Sequence, residues 1–404
     1  MGDALIIDAL RSPIGRRNGS LAGMRGDELA GRVLNALVER AGVDPSEVED
    51  IQLGCVTQIG EQGWNIGRMV PLVAGWPDTV CGTSVDRQCG SSMQCNFNAV
   101  TAIQAGQLDV VVSAGVEMMS RVPMGSNGGD LSPELLERYD IVPQGISAEV
   151  IASEWGFSRE ELDAYSLESH RRALAATEEG RFENELVPIE LPDAGGGGTP
   201  AAPDATNSLL QGEGGVATAA RVLAVDETPR RDTSAEKLAA LAPAFLPEGR
   251  VTAGNSSQIC DGAAAVLLAS ESAATRLGLE PLGRFISFGL AGVDPHRMLH
   301  GNPQACTKAL DRAGLTWDDI AVVEVNEAFA AVVLQFARDA GLEDRFADIN
   351  PNGGGISLGH PLGATGARMT ATLLNELERR GERYGIAAMC VGFGMAIAGV
   401  VERL

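Results

Sequence analysis

Four side chains in this sequence have types and surroundings that invite chemistry. Cys89 stands in SVDRQCGSSMQCNFNAV, where a polar turn precedes small residues that open a helix, with Met93, Phe97, Val100 and Ile103 near helical spacing. A thiol at a helix N-terminus faces unsatisfied N–H groups and the positive end of the macrodipole, which predicts a favoured thiolate and hence a nucleophile. Gly90, Ser91 and Ser92 leave room for a carbonyl to approach it. The competing reading is a small buried hydrophobe. His360 lies between glycine turns in NPNGGGISLGHPLGATGAR, just before a helix expected to begin near Gly363 or Ala364. Imidazole titrates near neutrality, so a histidine free of helix or strand context suits general acid–base work. The other three histidines, His170, His296 and His300, sit among polar neighbours and read as surface or loop residues.

Cys390 follows the apolar run GIAAM and precedes VGFGMA, so both its sulfur and a neighbouring backbone N–H could face a ligand. A buried strand cysteine is equally compatible with that position. Gly392-Phe393-Gly394 imitates the opening of a dinucleotide fingerprint, but the ten residues after Gly394 are too few for a helix and second strand. Asn326, in VVEVNEAFAAVVLQF, ends an apolar strand before a helix. Its amide could hold a water or cap that helix. Glu327 belongs beside it in the same polar cluster.

The elements that must position these groups recur twice. ALVERAGVDPSEVEDIQLG at 36–54 and ALDRAGLTWDDIAVV at 309–323 each give a helix ending in Ala-Gly, a turn and an apolar strand. Later in each half comes a Gly/Ser-rich turn, a helix and another apolar strand: CGSSMQCNFNAVTAIQAGQLDVVVSAG, then GGISLGHPLGATGARMTATLLNELERRGERYGIAAMCVG. This order predicts a duplicated α/β unit with buried strands and crossover helices. Between the halves, about 121–249, the pattern changes to helical segments around a Gly/Pro/Ala stretch at 192–207, which reads as a surface loop in a ligand-covering insertion.

Composition narrows the function classes. The 404 residues, 45% hydrophobic and 21% charged, describe a globular chain of two or three domains. A formal charge of −23 argues against nucleic acid and anionic membranes as partners, so a polyanionic ligand needs a local basic patch. Seven cysteines without a C-x-x-C pair argue against structural zinc and a disulfide framework, and favour a reducing, cytoplasmic setting. No secretory signal is expected, because the apolar run between Asp3 and Asp8 is short. The uncharged stretch from Gly385 to Val401 holds four glycines and falls below the ~20 residues of a spanning helix.

Taken in order, CGSS, AGNSSQICDGAAAVLL at 253–268, NEAFA, NGGGISLGHPLGATG and the terminal C-x-G-x-G resemble the thiolase family, the acyl-CoA:acetyl-CoA C-acyltransferases. The likeness runs from RSPIGRRNG at 11–19 to the last strand. It implies an α/β thiolase fold: two duplicated βαβαβαββ halves in a five-layered αβαβα body with an inserted loop subdomain. The halves would be 1–120 with 250–275, and 276–404, and 121–249 would cover the coenzyme A site. By resemblance, Cys89 takes the acyl group as a thioester and His360 activates its thiol. Cys390 is the second acid/base, Asn326 joins His360 in holding the enolate oxygen through a water, and the N–H groups of Cys89 and Gly392 hold the tetrahedral oxyanion.

Arg230, in the basic doublet Arg230-Arg231, would lie beside the nucleotide of CoA, and Phe245 and Ser257 beside its pantetheine. CoA, acetyl-CoA and 3-ketoacyl-CoA would be substrates; no resident cofactor or metal is expected, and active relatives are homodimers or homotetramers. The sequence departs from short-chain biosynthetic members, which carry His-Met where it has Pro143-Gln144, and Phe393 replaces a more usual glycine. RSPIGRRNG, GCVTQIGEQ and DRQCGSS are closer to actinobacterial lipid- or steroid-degrading members. A ketoacyl-synthase-type enzyme would lack a cysteine at position 390, and an acyl-CoA binder without catalysis would not need all four polar groups.

Overall fold

Each half of the chain is built from Val-, Ile- and Ala-rich strands separated by helices that end on glycine. The computed structural model describes residues 2–192 and 221–404; positions 193–207 of the Gly/Pro/Ala stretch lie outside the described residues. The first half runs β1 (Ala4–Arg11), β2 (Gly15–Arg16), α1 (Gly26–Ala41), β3 (Asp50–Gly54), α2 (Ile66–Val73), β4 (Cys81–Val85), α3 (Ser91–Gln104) and β5 (Val110–Met118). An insertion follows: α4 (Pro133–Arg138), α5 (Gln144–Glu154), α6 (Arg159–Glu178), β6 (Ile189–Glu190), β7 (Val222–Leu223) and α7 (Ala235–Ala239). Strand β8 (Cys260–Ser270) and helix α8 (Glu271–Leu277) return the chain to the first half. The second half is β9 (Gly283–Gly292), α9 (Asn302–Ala313), β10 (Val322–Val325), α10 (Ala330–Asp339), α11 (Thr365–Arg380), β11 (Tyr384–Val391) and β12 (Met395–Arg403).

The strand order β4-β3-β5-β8-β1 in one half is repeated as β10-β11-β12-β9 in the other. In both, parallel pairs (β3 with β4 and β5; β10 with β11) give way to antiparallel ones (β5–β8–β1; β11–β12–β9). Among the described residues the halves meet edge to edge at Leu5↔Arg284 and Ile6↔Gly283. Besides the insertion, the halves differ at the sheet edge: among the described residues the counterpart of β4 is reduced to a single parallel bridge, Val323↔Ile349. The repeated Ala-Gly stops have the same cause. Gly42 (φ 68°) and Gly314 (φ 67°) are left-handed C-caps, and their N–H groups turn back onto the last helical carbonyls.

Three apolar cores define the layers. Leu29, Val33, Leu37 and Val70 of α1 and α2 cover the outer face of the first sheet. Ala305, Ala309, Val333 and Phe336 of α9 and α10 cover the outer face of the second, joined by Ile151 and Leu162 of the insertion. Between the sheets lie α3 and α11, which contribute Met93, Val100, Ile103, Leu373 and Leu377 to a core shared with Phe285, Phe288 and Ile397. Each fully buried Leu, Val or Phe here contributes about 1.5–3 kcal/mol.

Close approach in this central layer requires glycine: a Cβ on Gly115 would overlap the Gly363 carbonyl, and one on Gly366 would overlap the Met93 amide. A buried ion cluster pins the insertion to β1, with Arg11 reaching Glu185 at 2.5 Å and Asp226 at 2.7 Å. Removing the arginine would strand two buried carboxylates, at a cost of about 3–5 kcal/mol.

Candidate active site

Helices α3 and α11 both begin at the centre of the molecule, and each is preceded by one of the reactive groups. Cys89 is buried two residues before α3. Gln88 before it takes a left-handed φ of 46°, and Gly90 after it has no room for a side chain, because a Cβ there would sit 2.8 Å from Ile397 and 2.9 Å from Val391. That contact seats the start of α3 against the β11–β12 turn of the opposite half. The turn bends through Phe393 (φ 64°) and Gly394 (φ 81°) and directs the Gly392 N–H at the Cys89 sulfur. Cys390 lies at the end of β11, buried, and feels the charge of Cys89.

The expectation of a favoured Cys89 thiolate is corrected here. Burial pushes the thiol up to about 11, outweighing the donors that oppose it: the Gln144 side-chain amide, the N–H of Cys89 itself and the Gly392 N–H. Charge on Glu117 adds to the rise. A helix end favours an anion only as far as desolvation allows, and the resting group at neutral pH is a thiol. Burial, and then the charge of Cys89, push the Cys390 thiol up as well.

His360 is buried, and burial, helped by the Arg368 charge, pushes its pKa down to about 3. Its hydrogen bonds fix the tautomer. The Thr365 hydroxyl donates to the Pro361 carbonyl at 2.8 Å, so it accepts from His360 Nδ1 at 2.6 Å. Nδ1 therefore carries the proton, and Nε2 presents a lone pair that accepts from Asn326 Nδ2 at 3.2 Å. Asn326 is anchored by its own N–H, which donates to Ala388 on β11 at 2.9 Å, and its buried Oδ1 has no partner among the described residues. It does not cap α10, whose N-cap is Phe329. Helix α11 starts at Thr365 with Ala364 as N-cap, slightly later than expected.

Two groups thus form: Cys89 with Gly392 and Cys390, and His360 with Asn326. Among the described residues no hydrogen bond joins the Cys89 sulfur to the His360 ring. The buried carboxylate of Glu117 ties the segment after β3 to the loop that follows His360, accepting from the backbone of Val56 (2.9 Å), Thr57 (3.0 Å) and Gly363 (2.9 Å) and from Gln62 (3.2 Å). Ser92 Oγ, just past Cys89, accepts the Ala367 N–H at 3.0 Å.

The remaining candidates border this centre. The Ser257 N–H donates to Ala328 at 2.9 Å, and the Phe245 ring stands edge-on to Phe329 at 6.0 Å, so both adjoin the strip that carries Asn326. Phe245 also packs on Gly145, where a Cβ would overlap its ring, next to Gln144. Arg230 enters through its backbone, whose N–H donates to His170 Nδ1 at 3.1 Å. Two residues earlier, Thr228 donates to the Leu358 carbonyl at 2.9 Å and accepts from Gln258 at 2.9 Å. Arg231 instead pairs with Glu178 at the surface. The surface reading of His170 is overturned. It is buried on α6, and burial, then the Arg230 charge, push its pKa down to about 4.

Sequence reasoning passed over Glu117 and Thr365, and treated Gln144 only as a departure. A lone acid ending the apolar run VVVSAGVEMM, and a hydroxyl opening the helix after a loop histidine, were the available signals. Glu327, expected in the cluster of Asn326, stands in a separate one, accepting from Tyr165 (2.5 Å), Ser169 (2.7 Å) and the Ile356 N–H (3.0 Å).

Comparison with known proteins fits this arrangement. Residues 4–272 match the family description of the thiolase N-terminal domain, and 279–403 that of the thiolase C-terminal domain. The chain is 44% identical over 406 residues to a 3-ketoacyl-CoA thiolase of Psychrobacter cryohalolentis, covering 100% of this chain and 98% of the relative. It is 43% identical over 417 residues to a steroid 3-ketoacyl-CoA thiolase of Mycobacterium tuberculosis, covering 100% and 95%. A crystal structure of the Bacillus anthracis acetyl-CoA acetyltransferase superposes with a TM-score of 0.87 at 38% identity, covering 100% of this chain and 99% of that one. A duplicated fold with its candidate groups at the seam, matched from end to end by these acyltransferases, makes the chain a member of the thiolase family.

Proposed function

We propose that this enzyme transfers acyl groups reversibly between CoA and acetyl-CoA through an acyl-Cys89 intermediate, cleaving 3-ketoacyl-CoA or forming it. In the cleavage direction, His360 Nε2 takes the Cys89 proton and the sulfur attacks the 3-keto carbon. The bond between C2 and C3 breaks, and acetyl-CoA leaves as an enolate whose oxygen is held by His360 and, through a water, by Asn326. The Cys390 thiol protonates its α-carbon. Incoming CoA gives its proton to the Cys390 thiolate and attacks the thioester, whose oxyanion rests on the N–H groups of Cys89 and Gly392. Acyl-CoA then departs, and Cys89 recovers its proton from His360.

At neutral pH the buried imidazole is unprotonated and its Nε2 is free to take a proton, but the transfer from the buried thiol is uphill, so the donors around the sulfur must stabilise the charge that forms. Losing one donor to a developing oxyanion costs about 2.7–4 kcal/mol, which is why several fixed donors are needed. The observation that carries the reading is the packing of the Cys89–Gly90 turn against Val391 and Ile397, which brings Cys89 beside Cys390 across the two halves.

CoA is polyanionic and the chain carries a charge of −23, so its phosphates need the local cation at Arg230, with Phe245 and Ser257 along the pantetheine. Residues 121–249, which supply Gln144 and Arg230, form the cover of that site in this reading. A second copy pairs through the exposed β4 edge of the sheet, near Trp64, which is 90% exposed. The setting is cytoplasmic, consistent with seven free cysteines; among the described residues no helix is long and apolar enough to cross a membrane.

Mass spectrometry after incubation with acetyl-CoA tests the scheme. An acetyl group is expected on Cys89 and absent from Cys89→Ala, while Cys390→Ala still acylates but loses C–C chemistry. Normal turnover by either variant would overturn it. Thiolysis rates across short, medium, long and sterol-derived 3-ketoacyl-CoA esters then set the acyl class.

A further inference from the structure

We propose that Gln144 is a catalytic residue, its side-chain amide acting as a third hydrogen-bond donor at the Cys89 sulfur beside the N–H groups of Cys89 and Gly392. The proposal rests on the reading of Cys89 as nucleophile and extends it to a side chain from the insertion. Three observations support it. First, the amide lies near enough to the Cys89 sulfur to hold the thiol lower than burial alone would. Second, Gln144 flanks the backbone donor: a Cβ placed on Gly392 would lie 3.4 Å from Gln144 Nε2. Third, the amide is held on a rigid element. Gln144 is the first residue of α5, Phe245 packs against the following glycine, and Glu149 one turn on accepts the N–H groups of Arg250 (2.9 Å) and Val251 (2.8 Å).

The environment explains why such a donor matters. Cys89 shares its cluster with Met93, Val391 and Ile397, so a thiolate formed there has little water to solvate it. Each N–H aimed at the sulfur strengthens as charge develops, because a donor to an anion is worth more than a donor to a neutral thiol. A preorganised amide therefore favours the charged state that attacks over the neutral state that rests. A methionine at 144 would fill similar space without an N–H to offer.

Gln144→Met tests this in the full-length enzyme. Two quantities are read: the pH dependence of Cys89 alkylation by iodoacetamide, followed by peptide mass, and the rate of the acetylation burst with acetyl-CoA. The alkylation profile is expected to move to higher pH, and the burst to slow by about 10- to 100-fold. The Michaelis constant for CoA should change little, because Gln144 meets the sulfur and not the nucleotide. Gln144→Glu, which keeps the length but adds a negative charge, should move the alkylation profile further in the same direction. Unchanged profiles and burst rates in both variants, with wild-type Cys89 still acetylated, would overturn the role of Gln144 alone. Absence of the acetyl group from wild-type Cys89 would instead overturn the nucleophile reading on which it stands.

Discussion

Replacing Thr365 with valine tests whether the tautomer of His360 is set by its hydroxyl. Valine keeps the shape but removes the oxygen that accepts from Nδ1 at 2.6 Å and donates to Pro361 at 2.8 Å. The ring is buried, so its Nδ1–H would then have no acceptor, at a cost of about 1–3 kcal/mol. The ring can escape that cost by moving its proton to Nε2, which withdraws the lone pair aimed at the reacting centre. A bias of that size corresponds to roughly a 5- to 150-fold loss in the population of the active tautomer. The acetylation burst of Cys89 with acetyl-CoA should slow by a factor in that range. Thr365→Ser, which restores the hydroxyl, should recover most of the rate. A thermal unfolding curve on each variant separates a tautomer effect from loss of fold. A folded Thr365→Val enzyme with a burst within about twofold of wild type would refute the idea that this hydroxyl sets the base.

Other consequences can be checked alongside. If Arg230 holds the CoA nucleotide as proposed, Arg230→Glu should raise the Michaelis constant for CoA more than it lowers the maximal rate; an unchanged constant places the phosphates elsewhere. Gly115→Ala should cost more than about 3 kcal/mol or abolish folding, since the new methyl overlaps the Gly363 carbonyl in the middle layer; a soluble variant with wild-type Tm would contradict the close packing of the halves. His170 is held neutral down to about pH 4, whereas an unfolded histidine takes up a proton near 6.5. Its contribution to stability is therefore full above that value and lost as pH falls from about 6.5 to 4, at up to about 1.4 kcal/mol per pH unit. The stability difference between wild type and His170→Gln should shrink across that window and be flat above it; a constant difference would mean that His170 protonates freely in the fold.

What the sequence exposed and what it hid divide along the range of the interactions involved. The Ala-Gly helix stops at 42 and 314 were legible because a left-handed C-cap is a local demand that only a few residues meet, and their repetition carried the duplication. Cys89, His360, Asn326 and Cys390 were legible for a related reason: each stands in or beside a connection between elements, and all but Asn326 have glycines within two residues in sequence. Their protonation states were not. The macrodipole at Cys89 is a short-range cue that favours a thiolate, but the opposite half of the molecule covers the sulfur, and the desolvation that results sets the outcome. The same holds for His170, whose polar neighbours along α6 conceal a face buried against the segment that carries Arg230. Glu117 is the extreme case. Its bonds to Val56, Thr57, Gln62 and Gly363 reach as far as 246 positions along the chain, and nothing within the run VVVSAGVEMM distinguishes such a brace from an ordinary strand-end acid. Chemistry shared between two repeats is announced by local backbone signals at the reacting groups, whereas the electrostatics that tune it arise only once the repeats close over one another.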